Sequence, residues 1–198
     1  MRTGACADTG FMESSASLTN QLLIAMPGMQ DPNFSTTVTL ICEHNDDGAL
    51  GIIINRPLTL KLGGLFAQLC VAEPGSDTAS SPVLSGGPVG TERGFVLHDK
   101  SQSFENTLLV SDDIQLTLSR DVIDAMAAGE GPDKTLVAVG YAGWEPGQLE
   151  YEMLANSWLS VPATPELVFE TPFAERWDSA ARTLGIDIAQ MSPDAGHA

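Results

Sequence analysis

Basic side chains are scarce in this sequence: 9 Lys and Arg stand against 26 Asp and Glu in 198 residues, for a formal charge of −17 at pH 7. Affinity for a nucleic-acid backbone comes largely from Lys and Arg neutralising phosphates, so this balance disfavours direct DNA binding and repels anionic membrane surfaces. Cysteine is scarce as well. Cys6, Cys42 and Cys70 are odd in number and lack C-x-x-C spacing, which argues against a disulfide framework and a thiolate zinc site and fits a reducing, cytoplasmic setting. The only histidines are His44, His98 and His197, with no H-E-x-x-H or paired spacing, so no metal site is expected. There is no G-x-S-x-G nucleophile elbow. No apolar run approaches the roughly 20 residues of a membrane-spanning helix. The first 17 residues, MRTGACADTGFMESSAS, lack the continuous apolar stretch of a secretory leader, and a disordered tail is expected over 1–17, followed by one domain over 18–198.

What the sequence does contain is a hairpin signature from Thr36 to Pro57, TTVTLICEHNDDGALGIIINRP. Val38, Leu40 and Cys42 alternate with Thr39, Ile41 and Glu43, and Asn45-Asp46-Asp47-Gly48 supplies turn residues. The following run, Ala49 to Ile54, is apolar on both faces, as a central strand must be. Further strands are predicted over Asn20 to Met26, Pro82 to Ser85, Gly94 to His98, Leu108 to Val110, Ile114 to Leu118, Thr135 to Tyr141 and Leu167 to Phe169. Helical spacing predicts helices over Lys61 to Cys70, over Arg120 to Ala128 with Ser119 as N-cap and Gly129 as stop, and from about Pro146 or Gly147 to Ala155. A last helix is predicted with Thr171 as N-cap and Pro172 at its first position, placing Phe173, Trp177, Ala180 and Leu184 on one face. Glu73 to Ser81 reads as a polar loop. Strands come in runs with few helices between them, so the fold class is α+β: a single domain with a mostly antiparallel or mixed sheet and about four flanking helices.

Several segments in this order resemble the AlgH/YqgE family of bacterial proteins: Leu23-Ile24-Ala25-Met26-Pro27, Cys42-Glu43-His44-Asn45, Gly51-Ile52-Ile53-Ile54-Asn55-Arg56-Pro57, Gly86-Gly87-Pro88-Val89, Glu92-Arg93-Gly94-Phe95-Val96-Leu97-His98, Ser119-Arg120-Asp121-Val122, and Gly140-Tyr141-Ala142-Gly143-Trp144 with Gly147-Gln148-Leu149-Glu150. The resemblance spans about Leu18 to the C-terminus. It implies a cytosolic single-domain α+β protein with no established catalytic activity. The family carries a transcriptional-regulator label, derived from alginate production in one branch, and that label supplies no DNA-binding motif.

Candidate sites follow from residue chemistry. Ser85-Gly86-Gly87-Pro88-Val89 is glycine-rich, yet it lacks a following Lys-Ser/Thr and leads into a strand, so it is neither a P-loop nor a dinucleotide fingerprint and no cofactor is expected. Tight-turn geometry is its ordinary role. His44 stands two positions from Cys42 and is expected to share its strand face, a starting point for an enzymatic alternative that would also use Glu43. Arg56, Arg93 and Arg120 each sit inside one of the motifs at an element end. Together with Asn55, Gly86 and Gly87 they are the candidate ligand-binding residues, because guanidinium forks suit carboxylate and phosphate. The alternative is structural pairing of each arginine with an acid such as Glu43, Glu92 or Asp121. The expected partner is an anionic small molecule or another protein, with neither nucleic acid nor membrane involved. The charge balance itself generates a test. No specific duplex binding is expected at physiological salt, and a salt-dependent shift of a defined promoter fragment at submicromolar protein would contradict this.

Overall fold

The both-face apolar run does form a central strand. The computed structural model describes residues 17–69 and 76–186, and its strands are β1 (Gln21–Ala25), β2 (Val38–Asn45), β3 (Gly48–Ile53), β4 (Pro57–Lys61), β5 (Pro82–Ser85), β6 (Val89–His98), β7 (Thr107–Leu109), β8 (Gln115–Thr117), β9 (Thr135–Trp144) and β10 (Trp158–Pro162). They join in one curled sheet along the path β10-β1-β2-β3-β9-β6-β8-β7, antiparallel at every step, with β5 parallel to β9 and β4 paired to β5. Five α-helices complete the described chain: α1 (Leu62–Gln68), α2 (Ser76–Ser80), α3 (Arg120–Ala128), α4 (Gln148–Leu154) and α5 (Arg176–Arg182), with a π-helical turn at Glu166–Glu170. No helix of the described residues is long and apolar enough to cross a membrane.

The apolar periodicities explain the layers. Along β2, Val38, Leu40 and Cys42 point into the principal core with Ile52 and Ile54, which the π-helical turn and α5 close through Val168, Ala180 and Ala181. Leu23, Ala25 and Ile41 point to the other face, where Trp144, Trp158 and Leu149 of α4 cover them. Both faces of β3 are therefore buried over Gly51 to Ile53, while Gly48 to Leu50 are only partly covered. Farther along the sheet, Val96 and Val137 are covered by Leu62 and Phe66 of α1 and Val122 and Met126 of α3, pairs spaced i, i+4. Glu152 fastens α4: its Oε2 accepts from the indole N–H of Trp144 at 3.0 Å and of Trp158 at 2.8 Å.

Strand β9 changes partners at Gly140. Before it, β9 lies between β5 and β6; after it, β3 takes the place of β5, while β6 still reaches β9 through Val89 and Tyr141. Gly140 has φ +74 and packs against the Gly86-Gly87 turn, where a Cβ on Gly87 would stand 2.1 Å from the Tyr141 carbonyl carbon. Two backbones meet here too closely for any side chain, which is the physical use of these glycines.

The structure corrects several expectations. Leu167 to Phe169 is the π-helical turn, with Val168 N–H donating to Thr164 O at 3.0 Å; a short apolar triplet carries no period, and Val168 is buried by the wrap of the turn. The last helix starts at Arg176 and not at Pro172. Thr171 instead closes the π-helical turn: its hydroxyl donates to Glu166 O at 3.1 Å and its carbonyl accepts from Arg176 Nε at 2.9 Å. Leu184 is 42% exposed, beyond the helix end. Ser119 holds the N-cap position, but its hydroxyl donates to Glu105 O or Asp121 instead of capping. Within the expected 73–81 loop, Ser76–Ser80 is helical and packs Ala79 against Gly63; residues 73–75 lie outside the described ones, as do Cys6, Cys70, His197 and most of the expected tail. Strands β6 and β9 run longer than predicted, to Val89 and Trp144, and β4 and β10 had no sequence counterpart. The position of α5 gives a test. Trp177 packs against the principal core and donates its indole N–H to Ala25 O at 3.0 Å, so Trp177→Ala should lower stability by about 3–4 kcal/mol. An unchanged urea midpoint would show that α5 is not held this way.

Candidate functional site

The Asn55-Arg56 pair closes the end of β3. Asn55 Oδ1 accepts from Val38 N–H at 2.9 Å and its Nδ2 donates to Thr36 O at 2.9 Å. Arg56 donates from Nη1 to Pro32 O and from Nη2 to Ser35 O, both at 2.9 Å. Its own carbonyl accepts from Ser85 N–H at 2.8 Å, and Gly86 O accepts from Ile53 N–H at 2.8 Å. These residues spend their polar groups on the chain itself.

The other arginines have separate partners. Arg93 reaches Glu92 at 3.8 Å with both side chains largely exposed, a geometry worth little. Arg120 contacts Asp124 at 3.4 Å and donates to Leu69 O at 3.1 Å. It lines an apolar groove of about 230 Å³ with Glu92, Leu118 and Ile123, and neither Arg56 nor Arg93 lines that groove. Three different stretches of chain thus engage the three guanidinium groups. Sequence reading passed over the arginine that is most buried. Arg176 is 2% exposed, sits 4.4 Å above the Phe173 ring and donates Nη1 to Ile54 O; burial pushes its pKa down to about 10, so it stays charged at neutral pH.

The Cys42–His44 expectation is corrected by one extra residue. β2 bulges between Ile41, which pairs with Gly51, and Glu43, which pairs with Leu50. A bulge reverses the alternation that follows it. Cys42 consequently stays in the principal core while His44 turns toward α4, with Nε2 2.9 Å from Glu150 Oε1. Leu18 N–H donates to His44 Nδ1 at 2.9 Å, which makes Nε2–H the donor to Glu150. Both ring nitrogens are engaged. The Cys42 thiol, fully buried, is pushed well above the ordinary thiol range by desolvation. His98 is also enclosed, with Nδ1 2.6 Å from Asp99 O and Nε2 2.8 Å from Thr117 Oγ1. Among the described residues, no group of three or more His, Cys, Asp or Glu could hold a metal ion.

A place shaped to receive something lies at the hairpin tip, where a cleft of about 690 Å³ opens beside β3, β6 and β9. Leu50 pairs with Gly143 and Val89 with Tyr141, so four neighbouring positions form its floor. The Tyr141 ring lies beside Gly143, 3.2 Å from where a Cβ would stand, and is backed by Phe95 at 5.6 Å between ring centres. Glu43, Asp47 and Glu145 stand exposed at the rim, with no Lys, Arg or His in the lining. The sequence contained the signal for this cleft in Gly143, which, unlike Gly140 in the same strand, interrupts the apolar run without needing a positive φ.

Comparison with known proteins places these features in a family context. The AlgH-like family (DUF179) matches residues 22–189. A UPF0301 protein of Nitrosococcus oceani is 48% identical over 94% of this chain and 100% of its own length, and one of Saccharophagus degradans is 52% identical over 92% and 89%. The solution structure of the AlgH protein from Pseudomonas aeruginosa aligns with a TM-score of 0.76 at 43% identity, covering 100% of both chains. A crystal structure of a protein from Corynebacterium diphtheriae, 20% identical, shares the fold with a TM-score of 0.69 over 87% of this chain and 90% of that one.

Two outcomes follow from the enclosed groups. Asn55→Ala removes the partners of Val38 N–H and Thr36 O, and should cost about 1–3 kcal/mol in urea unfolding; no loss would mean that water replaces the side chain. Burial holds the His98 imidazole below its ordinary value, partly offset by the Asp99 carbonyl and charge. The unfolded chain therefore takes up the proton first, and stability contributed by neutral His98 is lost as pH falls below about 6.5. An NMR titration should place the His98 midpoint under that value, and a midpoint above it would contradict the assignment.

Proposed function

The chain belongs to the AlgH-like family, and on that premise we propose that it is a cytoplasmic binding protein of regulatory or accessory role, acting through contact with a small molecule or a protein and not by gripping DNA. The observation that carries this reading is the hairpin-tip cleft, where an apolar floor built on three paired strands is left open to solvent. Binding groups on strands are held more exactly than groups on loops, so such a floor suits recognition. The −17 charge supports the exclusion of DNA by electrostatics alone.

The enzymatic alternative relies on His44, Glu43 or the arginines. It is weakened by the engagement of both His44 nitrogens and by the chain contacts of Arg56 and Arg120. A thermal-shift screen of cellular metabolites and peptides separates the readings, because a ligand that binds the folded state raises its midpoint by mass action. The expected result is stabilisation by a ligand that is recovered unchanged, abolished by Leu50→Arg in the cleft floor. Conversion of a stabilising compound into product would instead support the enzyme.

A further inference from the structure

The cleft has a definite electrostatic character. Its floor is apolar, from Leu50, Val89 and Tyr141, and Val89, which opens β6 and pairs there with β9 alone, is 41% exposed. Its rim is acidic. Glu43 accepts from Asn45 Nδ2 at 3.1 Å, and the five ion pairs among the described residues involve none of Glu43, Asp47 and Glu145. Three carboxylates around a low-dielectric floor focus a negative potential there.

Three occupants compete for such a surface. A second copy of this chain is disfavoured, since both partners would carry −17 and the rim carboxylates have few cations to meet. A small amine would satisfy the rim and leave Leu50 and Val89 wet. An extended protein segment carrying Lys or Arg beside apolar residues satisfies both, with cations at the rim and apolar groups on the floor. Gly143 leaves room for the Tyr141 ring to lie beside the strand, which makes that ring part of the floor.

We infer that the hairpin-tip cleft docks a basic, apolar-containing segment of a partner protein, through Glu43, Asp47 and Glu145 at its rim and Leu50, Val89 and Tyr141 on its floor. This rests on the binding-protein reading and names the partner's chemistry. The test titrates the full-length protein with a fluorescein-labelled nonapeptide of alternating Lys and Leu, and with counterparts carrying Ser or Glu in place of Lys, following the amide signals of Leu50, Val89 and Gly143 by NMR. Any basic peptide is attracted to so acidic a protein, so the decisive comparison is between two variants of equal charge. Glu43→Gln/Asp47→Asn/Glu145→Gln should weaken the Lys peptide about tenfold, whereas Asp112→Asn/Glu130→Gln/Asp178→Asn, exposed and outside the cleft lining, should change it less than about twofold. Equal weakening by both variants would overturn the inference, as would spermidine shifting the same amides with equal affinity. Cleft shifts produced equally by the Ser or Glu peptide would overturn the basic partner while keeping the contact site. An absence of cleft shifts with every peptide and with spermidine would overturn the inference and count against the cleft as contact surface.

Discussion

A central strand must stop somewhere, and where β3 stops its regular ladders run out and its backbone groups need other partners. Ile54 N–H donates to Val38 O, and Ile54 O accepts from the buried Arg176 guanidinium. Asn55 then substitutes its side chain for a missing strand partner at Val38, while Arg56 gathers Pro32 O and Ser35 O. Buried backbone groups left without partners cost about as much as a lost hydrogen bond each, so this junction sets where the 32–36 loop, the β5 turn and α5 lie.

Arginine placement shows how an acidic chain uses its few cations. Arg56 and Arg176 neutralise carbonyl dipoles at a joint, and Arg120 spans from α3 to the end of α1 at Leu69. For Arg176 the planar fork and the stacking open to a guanidinium matter more than its charge: it lies over the Phe173 ring while bonding two carbonyls. Little positive charge is left for the hairpin tip, and its carboxylates consequently act together.

Much of the layering was legible because burial imposes a period. The β2–β3 hairpin, β1, α1, α3 and the central rank of β3 follow from alternation, i, i+4 spacing and turn residues. Elements without a period were not legible: β10 mixes Trp, Leu, Ser, Val and Pro on a sheet edge, and the π-helical turn is defined by a single buried valine. The candidate site was half legible. Asn55, Arg56, Gly86 and Gly87 stood out as special residues, but their partners lie 17 to 24 positions away for the Asn55 and Arg56 side chains, and across β9 for the glycines.

By itself the sequence determined the class of fold, the absence of a cationic surface and the identity of the strand at the centre, because composition and periodicity are local quantities. Only the tertiary structure decided which way His44 faces, since the bulge is visible in the pairing of Ile41 with Gly51 and Glu43 with Leu50 and not in the residues of β2 alone. It likewise decided that three motif arginines serve three different parts of the chain, and that Glu43, Asp47 and Glu145 meet around Leu50, Val89 and Tyr141. Convergence of residues about 100 positions apart depends on strand order, and strand order is fixed by the packing of whole layers and not by any one segment.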